Sequence, residues 1–210
     1  MHYLYSFRRC PYAIRARMAL SYAEIRVGVR EVKLSDKPVE LIQVSPKATV
    51  PVLVLDSGEI IDESLDIMLW AIKQSDPKNW LSPSLEPKIF NLIHRNDFEF
   101  KPLLDNYKYP QSSKMGNPLL YREQALPFLS ELNTLLSNNQ FLLSNTTSLT
   151  DIAVFPFIRQ FCMVDKEWFM QSPFTKLTDW LTYFLTSPIF LNVMQKYSPW
   201  NIGNEEPILN

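Results

Sequence analysis

Hydrophobic and polar positions follow two different rhythms along this chain, and the rhythm changes near residue 76. His2-Tyr3-Leu4-Tyr5-Ser6-Phe7 carries β-favouring aromatics in alternation and predicts a strand. Pro11–Tyr22 places Ile14, Met18 and Tyr22 along one face of a helix. Residues 26–34 hold Val27, Val29 and Val32 among charges, a second strand, and 38–44 reads as a short helix. Residues 50–55 and 59–62 flank Asp56-Ser57-Gly58, a hairpin signal. Residues 64–73 are helical again, with Leu65, Met68, Leu69 and Ile72 apolar. The predicted order is βαβαββα: a β-α-β opening that requires a right-handed crossover and parallel pairing, then an antiparallel hairpin.

Residues 76–87 hold three prolines, Pro77, Pro83 and Pro87, which break any helix and mark a linker. Trp80 and Leu81 indicate that this linker packs against something. Beyond it every signal is helical: 88–107 as one long amphipathic helix, a polar loop at 111–117, then helices over 118–137, 150–164, 175–186 and 188–196, and a tail at 201–210. The expected organisation is therefore a small α/β domain over residues 1–75, a linker at 76–87 and an all-helical domain over 88–210.

Composition narrows the function classes. The 210 residues hold 21 Lys and Arg against 22 Asp and Glu, so there is no basic field to recruit nucleic acid. No apolar run of about 18 residues appears, which argues against a membrane span. The opening run is short and followed at once by Arg8 and Arg9, unlike a signal peptide. Two cysteines form no disulfide framework and suit a reducing, cytoplasmic setting. Two histidines and two cysteines, dispersed as they are, make no metal set.

The candidate chemistry centres on Cys10 in Arg8-Arg9-Cys10-Pro11-Tyr12-Ala13. A cysteine between a strand and a helix N-terminus meets unpaired N–H groups and the positive end of the helix dipole. With Arg8 and Arg9 beside it, such a thiol is expected to ionise easily and act as a nucleophile. Pro11 suits the first helical position, where its missing N–H costs nothing. Many single cysteines are small buried hydrophobes; that reading suits Cys162, inside the apolar stretch 155–164. In Thr49-Val50-Pro51-Val52-Leu53 a proline opens a strand, where it need not donate to the ladder. Asp62-Glu63-Ser64 lies at a strand–helix junction. It is either an N-cap or an anion site suited to a carboxylate, with Glu63 placed for an ammonium group.

Arg9-Cys10-Pro11-Tyr12-Ala13, Asp36-Lys37-Pro38, Thr49-Val50-Pro51-Val52-Leu53 and Glu63-Ser64 stand in the order and approximate spacing of a glutathione transferase. The cysteine version resembles the omega class and its bacterial omega-like relatives. Ser148-Leu149-Thr150-Asp151-Ile152-Ala153 resembles the capping box that opens the core helix of that family's second domain. The resemblance implies a thioredoxin-like α/β first domain followed by an all-α second domain, and glutathione as co-substrate. It implies a cis Val50–Pro51 bond and a Val50 backbone that pairs with the cysteinyl part of glutathione. Glu63 and Ser64 would hold the γ-glutamyl ammonium and carboxylate, Lys37 the glycyl carboxylate, with Pro11 and Tyr12 part of the same glutathione site. Cys10 would face the glutathione sulfur, a small electrophile or disulfide would be the second substrate, and two chains would pair as a homodimer.

A dithiol relative would carry a second cysteine where Ala13 stands; a monothiol route remains, that of a glutathione-dependent thiol transferase, reductase or transferase using Cys10 through a glutathione mixed disulfide. Two other readings compete: a non-catalytic binding or regulatory protein on the same scaffold, and a conjugating transferase that uses a hydroxyl, with Tyr3, Tyr5, Ser6 and Tyr12 near enough in sequence. His94 reads as a surface or packing residue, and Tyr107, Tyr109 and Trp168 as core aromatics before pocket residues.

Overall fold

The computed structural model describes residues 1–109 and 117–209; most of the loop expected at 111–117 lies outside them. The described residues form two compact units, Met1–Lys78 together with Ser187 onward, and Asn79–Thr186. The first unit thus takes in the end of the chain, which the change of rhythm alone had assigned to the helical part.

In the first unit, β1 (His2–Ser6) leads through α1 (Pro11–Tyr22) to β2 (Val27–Glu31), which pairs with β1 in parallel, Leu4 opposite Val29. After α2 (Val39–Val44) come β3 (Val52–Val54), antiparallel to β1 with Leu4 opposite Leu53, and β4 (Ile60–Ile61). Gly58 turns this hairpin at φ 88°, a conformation open to glycine without a steric penalty. Then α3 (Ser64–Gln74) packs against α1. The βαβαββα order is as the alternation predicts.

Side chains alternate across β1. Tyr3 and Tyr5 join Val32, Leu41 of α2, Val52, Val54 and Trp200 in one cluster. Ser6 turns to the opposite face, where its hydroxyl accepts from Arg17 of α1. Because α1 is packed against both α3 and the late helix at Pro188–Val193, even Arg15 and Arg17 are buried, at 2% and 1% exposure.

The last residues are not a tail. Ile208–Leu209 forms a fifth strand, β5, antiparallel to β2, giving the order β4-β3-β1-β2-β5. The Trp200 N–H donates to the Glu31 carbonyl at 2.8 Å, and Arg30 lies 4.3 Å from the Trp200 ring and 3.5 Å from that of Tyr3. Arg30 also reaches Glu206 at 2.5 Å and the Tyr5 hydroxyl at 2.9 Å. Such a two-residue strand has no periodicity to read; aromatic and ionic anchoring holds it.

The second unit holds α4 (Glu86–Arg95), a π-helical turn (Asn96–Phe100), α5 (Lys101–Lys108), α6 (Pro118–Asn138), α7 (Leu149–Cys162), α8 (Lys166–Gln171) and α9 (Thr175–Thr186); the late helix of the first unit is α10 (Pro188–Val193). The single helix expected over 88–107 is interrupted by the π turn, next to Pro102, whose ring removes one backbone donor. No hydrophobic period marks α8, a six-residue helix capped by the Asp165 carboxylate accepting from the Trp168 N–H at 3.1 Å. Trp80 is buried, as expected of a packed linker, and its carbonyl accepts from the Leu149 N–H at 2.9 Å.

The capping box at Ser148 is present. Asp151, fully buried, accepts from the Ser148 N–H (2.9 Å) and hydroxyl (2.8 Å), the Leu142 N–H (3.0 Å) and the Trp180 indole N–H (2.9 Å). Burial raises its carboxyl pKa, and these four hydrogen bonds oppose the rise.

Candidate functional site

Cys10 caps α1, with φ −71° and ψ 123°, and Pro11 fills the first helical position. The turn before it is closed by the Cys10 N–H donating to the Phe7 carbonyl at 3.0 Å. The thiol is half-buried and donates to the Val50 carbonyl at 3.6 Å. That contact joins the two most informative stretches of the sequence, forty residues apart. The Val50–Pro51 bond is cis.

A second contact set joins α3 to the same loop. Glu63 is the N-cap of α3, and no side chain caps the helix there. Of the two readings of Asp62-Glu63-Ser64, a side-chain N-cap by Asp62 or Ser64 is therefore not what the fold makes. Asp62 accepts from the Ser45 hydroxyl at 3.1 Å. Ser64 is buried and its hydroxyl accepts from Arg15 Nε at 3.0 Å. The Arg15 guanidinium also lies 5.1 Å from the ring of Tyr12, which is half-buried. The N-terminus of α3 thus presents first-turn N–H groups, an exposed carboxylate and a serine held by an arginine.

Lys47 belongs to none of the sequence motifs, yet it lies at this site. Its ammonium lies 2.6 Å from Glu63 and 3.4 Å from Asp62, and the Glu63 hydrogen bond raises its pKa. The only sequence signal was its place three residues before Val50. Lys37 behaves differently: it is exposed, follows the small turn closed between Lys33 and Asp36, and has no hydrogen bond or ion pair among the described residues. The structure brings Cys10, Pro11 and Val50-Pro51 together and places Glu63 and Ser64 beside Lys47 and Arg15, but among the described residues no hydrogen bond or ion pair joins Lys37 to them.

Ala48, between Lys47 and Val50, has φ 50°. A left-handed conformation costs a residue with a Cβ about 1–2 kcal/mol. Ala48→Gly is expected to stabilise the protein by about 0.5–1 kcal/mol after the added flexibility of the unfolded chain is subtracted; urea denaturation would measure it.

Of the four alternative hydroxyls, Tyr5 and Ser6 are engaged within the fold. Tyr5 is fully buried, hydrogen-bonded to Arg30, and burial raises its pKa; the Ser6 hydroxyl accepts from Arg17. Cys162 is buried and its thiol pKa is raised by burial. In the second unit Tyr107 is buried with its ring 5.1 Å from that of Phe161, while Tyr109 is exposed. Trp168 lies 6.3 Å from the same ring beneath Arg122, and exposed His94 stacks on Phe98 at 4.6 Å. Among the described residues no helix is long and apolar enough to cross a membrane.

A thioredoxin-like sheet followed by a helical unit, with a thiol at the first helix and a cis-proline loop against it, defines a class of protein that comparison with known proteins makes specific. Residues 4–79 match the model of the glutathione S-transferase N-terminal domain, and residues 117–188 that of the C-terminal domain. The chain belongs to the glutathione S-transferase family. It is 39% identical to pig glutathione S-transferase omega-1 over 61 residues, 29% of this chain and 25% of the pig protein. It is 27% identical to the rat omega-1 protein over 161 residues, 75% of this chain and 66% of that one. The matches therefore span less than two thirds of these relatives' length. Among solved structures, a glutathione transferase family member from Pseudomonas fluorescens, described with two glutathione molecules bound, shares the fold with a TM-score of 0.76 at 16% identity, covering 92% of each chain.

Proposed function

We propose that this protein is an omega-like, glutathione-dependent thiol transferase or reductase that works through a mixed disulfide on Cys10, in a reducing compartment and as a homodimer. The observation that carries the reading is the Cys10 thiol at the start of α1 against the Val50 carbonyl. The omega-1 relatives and the glutathione-bound Pseudomonas neighbour support it.

In this reading the Cys10 thiolate attacks the sulfur of a substrate–glutathione disulfide. The Cys10–glutathione bond forms, the substrate sulfur leaves as a thiolate, and a second glutathione thiolate then attacks the adduct to give oxidised glutathione and free Cys10. Glutathione lies along Val50, whose carbonyl is available to a peptide N–H once the Cys10 thiol is ionised. The γ-glutamyl carboxylate meets the first N–H groups of α3 and the Ser64 hydroxyl, and its ammonium meets Glu63. Pro11 and Tyr12 border the sulfur at the start of α1. Lys47 already neutralises Glu63, so the ligand's ammonium shares or displaces it. Lys37, exposed beyond the Lys33–Asp36 turn, would reach the glycyl carboxylate. The hydroxyl-activated alternative is weakened by the commitments of Tyr5 and Ser6 inside the fold.

Calorimetric titration with reduced glutathione tests the cradle. The wild type should bind it, and Glu63→Gln should weaken binding about tenfold, the usual size of one charge-assisted contact, about 1.4 kcal/mol. No heat of binding in the wild type would favour the non-catalytic reading of the scaffold.

A further inference from the structure

The buried guanidinium of Arg17 has no part in the reading above. Taking an arginine to 1% exposure costs several kcal/mol of hydration, which must be returned by well-made contacts. Its oxygen contacts face one short stretch of chain and one carbonyl of α10, and Nη2 also lies 3.9 Å from the Met194 sulfur. Nη2 donates to the Arg8 carbonyl at 2.8 Å, Nη1 lies 3.5 Å from the Phe7 carbonyl and also donates to the Ser6 hydroxyl, and Nε donates to the Val193 carbonyl at 3.0 Å. The Phe7 carbonyl is the one that accepts the Cys10 N–H. One planar fork therefore holds both carbonyls of the turn that ends in Cys10, and anchors that turn to α10. A lysine cannot copy this geometry, since its donors radiate from a single point.

The charge matters as much as the fork. Every oxygen it touches is formally neutral, and among the described residues Arg17 makes no ion pair. After burial, Glu31 at the end of β2 exerts the largest influence of opposite sign on Arg17, and Cys10 comes next. Glu31 is itself tied to the turn, accepting the Arg8 N–H at 2.8 Å, and burial raises its pKa. Burial lowers the pKa of Arg17 to about 10, so it stays charged at neutral pH.

We propose that Arg17 is the positioning residue of the Cys10 site: its fork fixes the Phe7–Arg8 carbonyls that set the thiol at the start of α1, and its uncancelled charge favours the thiolate. This rests on Cys10 being the nucleophile. The titratable and charged groups that face the turn are Arg8 and Arg9 within it, Arg17 on α1, Glu31 on β2 and Tyr197 after α10, with the Lys47–Glu63 pair on the loop that supplies Val50 and at the start of α3.

The test is the pH profile of Cys10 alkylation by iodoacetamide in the full chain. It would run from about pH 5 to about pH 9, around the ordinary cysteine range, and be read on the Cys10 peptide by mass spectrometry so that Cys162 does not contribute. In Arg17→Met the midpoint should rise by about one unit, a roughly tenfold loss of rate below both midpoints, with circular dichroism unchanged. Arg17→Lys should recover part of the shift. Glu31→Gln keeps an acceptor for the Arg8 N–H but removes the opposing charge, and should move the midpoint down. A folded Arg17→Met with the wild-type profile overturns the proposal and leaves the Cys10 reading standing. If Arg17→Met does not fold, Glu31→Gln decides: an unmoved midpoint overturns the proposal. A wild type whose Cys10 reacts no faster than free cysteine overturns both.

Discussion

Cys10→Ala is expected to abolish glutathione-dependent reduction of a mixed disulfide, with turnover reduced at least about 10³-fold while glutathione still binds. The reason is chemical: the proposed cycle passes through a covalent sulfur–sulfur bond, and removing the atom that forms it leaves only the much weaker effect of holding two reactants together. Calorimetry should still detect glutathione, because the Val50 backbone, Glu63 and Ser64 are untouched. Cys10→Ser separates the remaining readings. A serine hydroxyl cannot form the disulfide, so thiol transfer should be lost equally. If conjugation of glutathione to an electrophile improves in either variant, the hydroxyl-activated reading comes forward; undiminished disulfide reduction in Cys10→Ala would end the thiol account.

The largest effect on stability is expected at Asp151, far in sequence from that chemistry. Its carboxylate gathers the Ser148 N–H and hydroxyl, the Leu142 N–H and the Trp180 indole in a fully buried place. Asp151→Ala removes the common acceptor and strands buried donors, each of which costs about 1–3 kcal/mol when unpaired. Partial relaxation and water entry reduce the sum, so a loss of about 3–5 kcal/mol is expected, enough to remove much of a typical domain's stability. Chemical denaturation followed by tryptophan fluorescence would measure it, since Trp180 is one of the four donors. Asp151→Asn keeps an acceptor but points an amide N–H at a donor, and should lose less. The pH dependence has a definite sign. Burial raises the folded-state pKa of Asp151 above its unfolded value, so the folded chain holds the proton more tightly between the two. Stability from this group therefore declines as pH rises through that window, and Asp151→Asn should lack the decline.

How much of this was legible in the sequence depends on the distance over which each feature is determined. The bounds of α1 match the reading because Pro11 and the apolar spacing are local signals. Cys10 at the N-cap and Ser148-Asp151 as a capping box were equally local. The break at Asn96–Phe100 was not legible, since amphipathic spacing persists across a π turn. The closing strand Ile208–Leu209 depends on Trp200 and Glu206 meeting Arg30 about 170 residues earlier, which no periodicity encodes. The same holds at the candidate site. The motifs around Cys10, Val50-Pro51 and Glu63-Ser64 could be read, but not the side chains that hold them. Arg15 and Arg17 are held by partners far along the chain, Ser64 of α3 and Val193 of α10, and Lys47 by Asp62 and Glu63, so no local pattern marks them.

The central claim is that the Cys10 sulfur takes a glutathionyl group. Incubating the full chain with oxidised glutathione and mapping the modified peptide by mass spectrometry tests it most directly. The account predicts one glutathionyl group on Cys10, released by added reduced glutathione, with Cys162 unmodified. An unmodified Cys10, or an adduct carried by Cys162 alone, would contradict it.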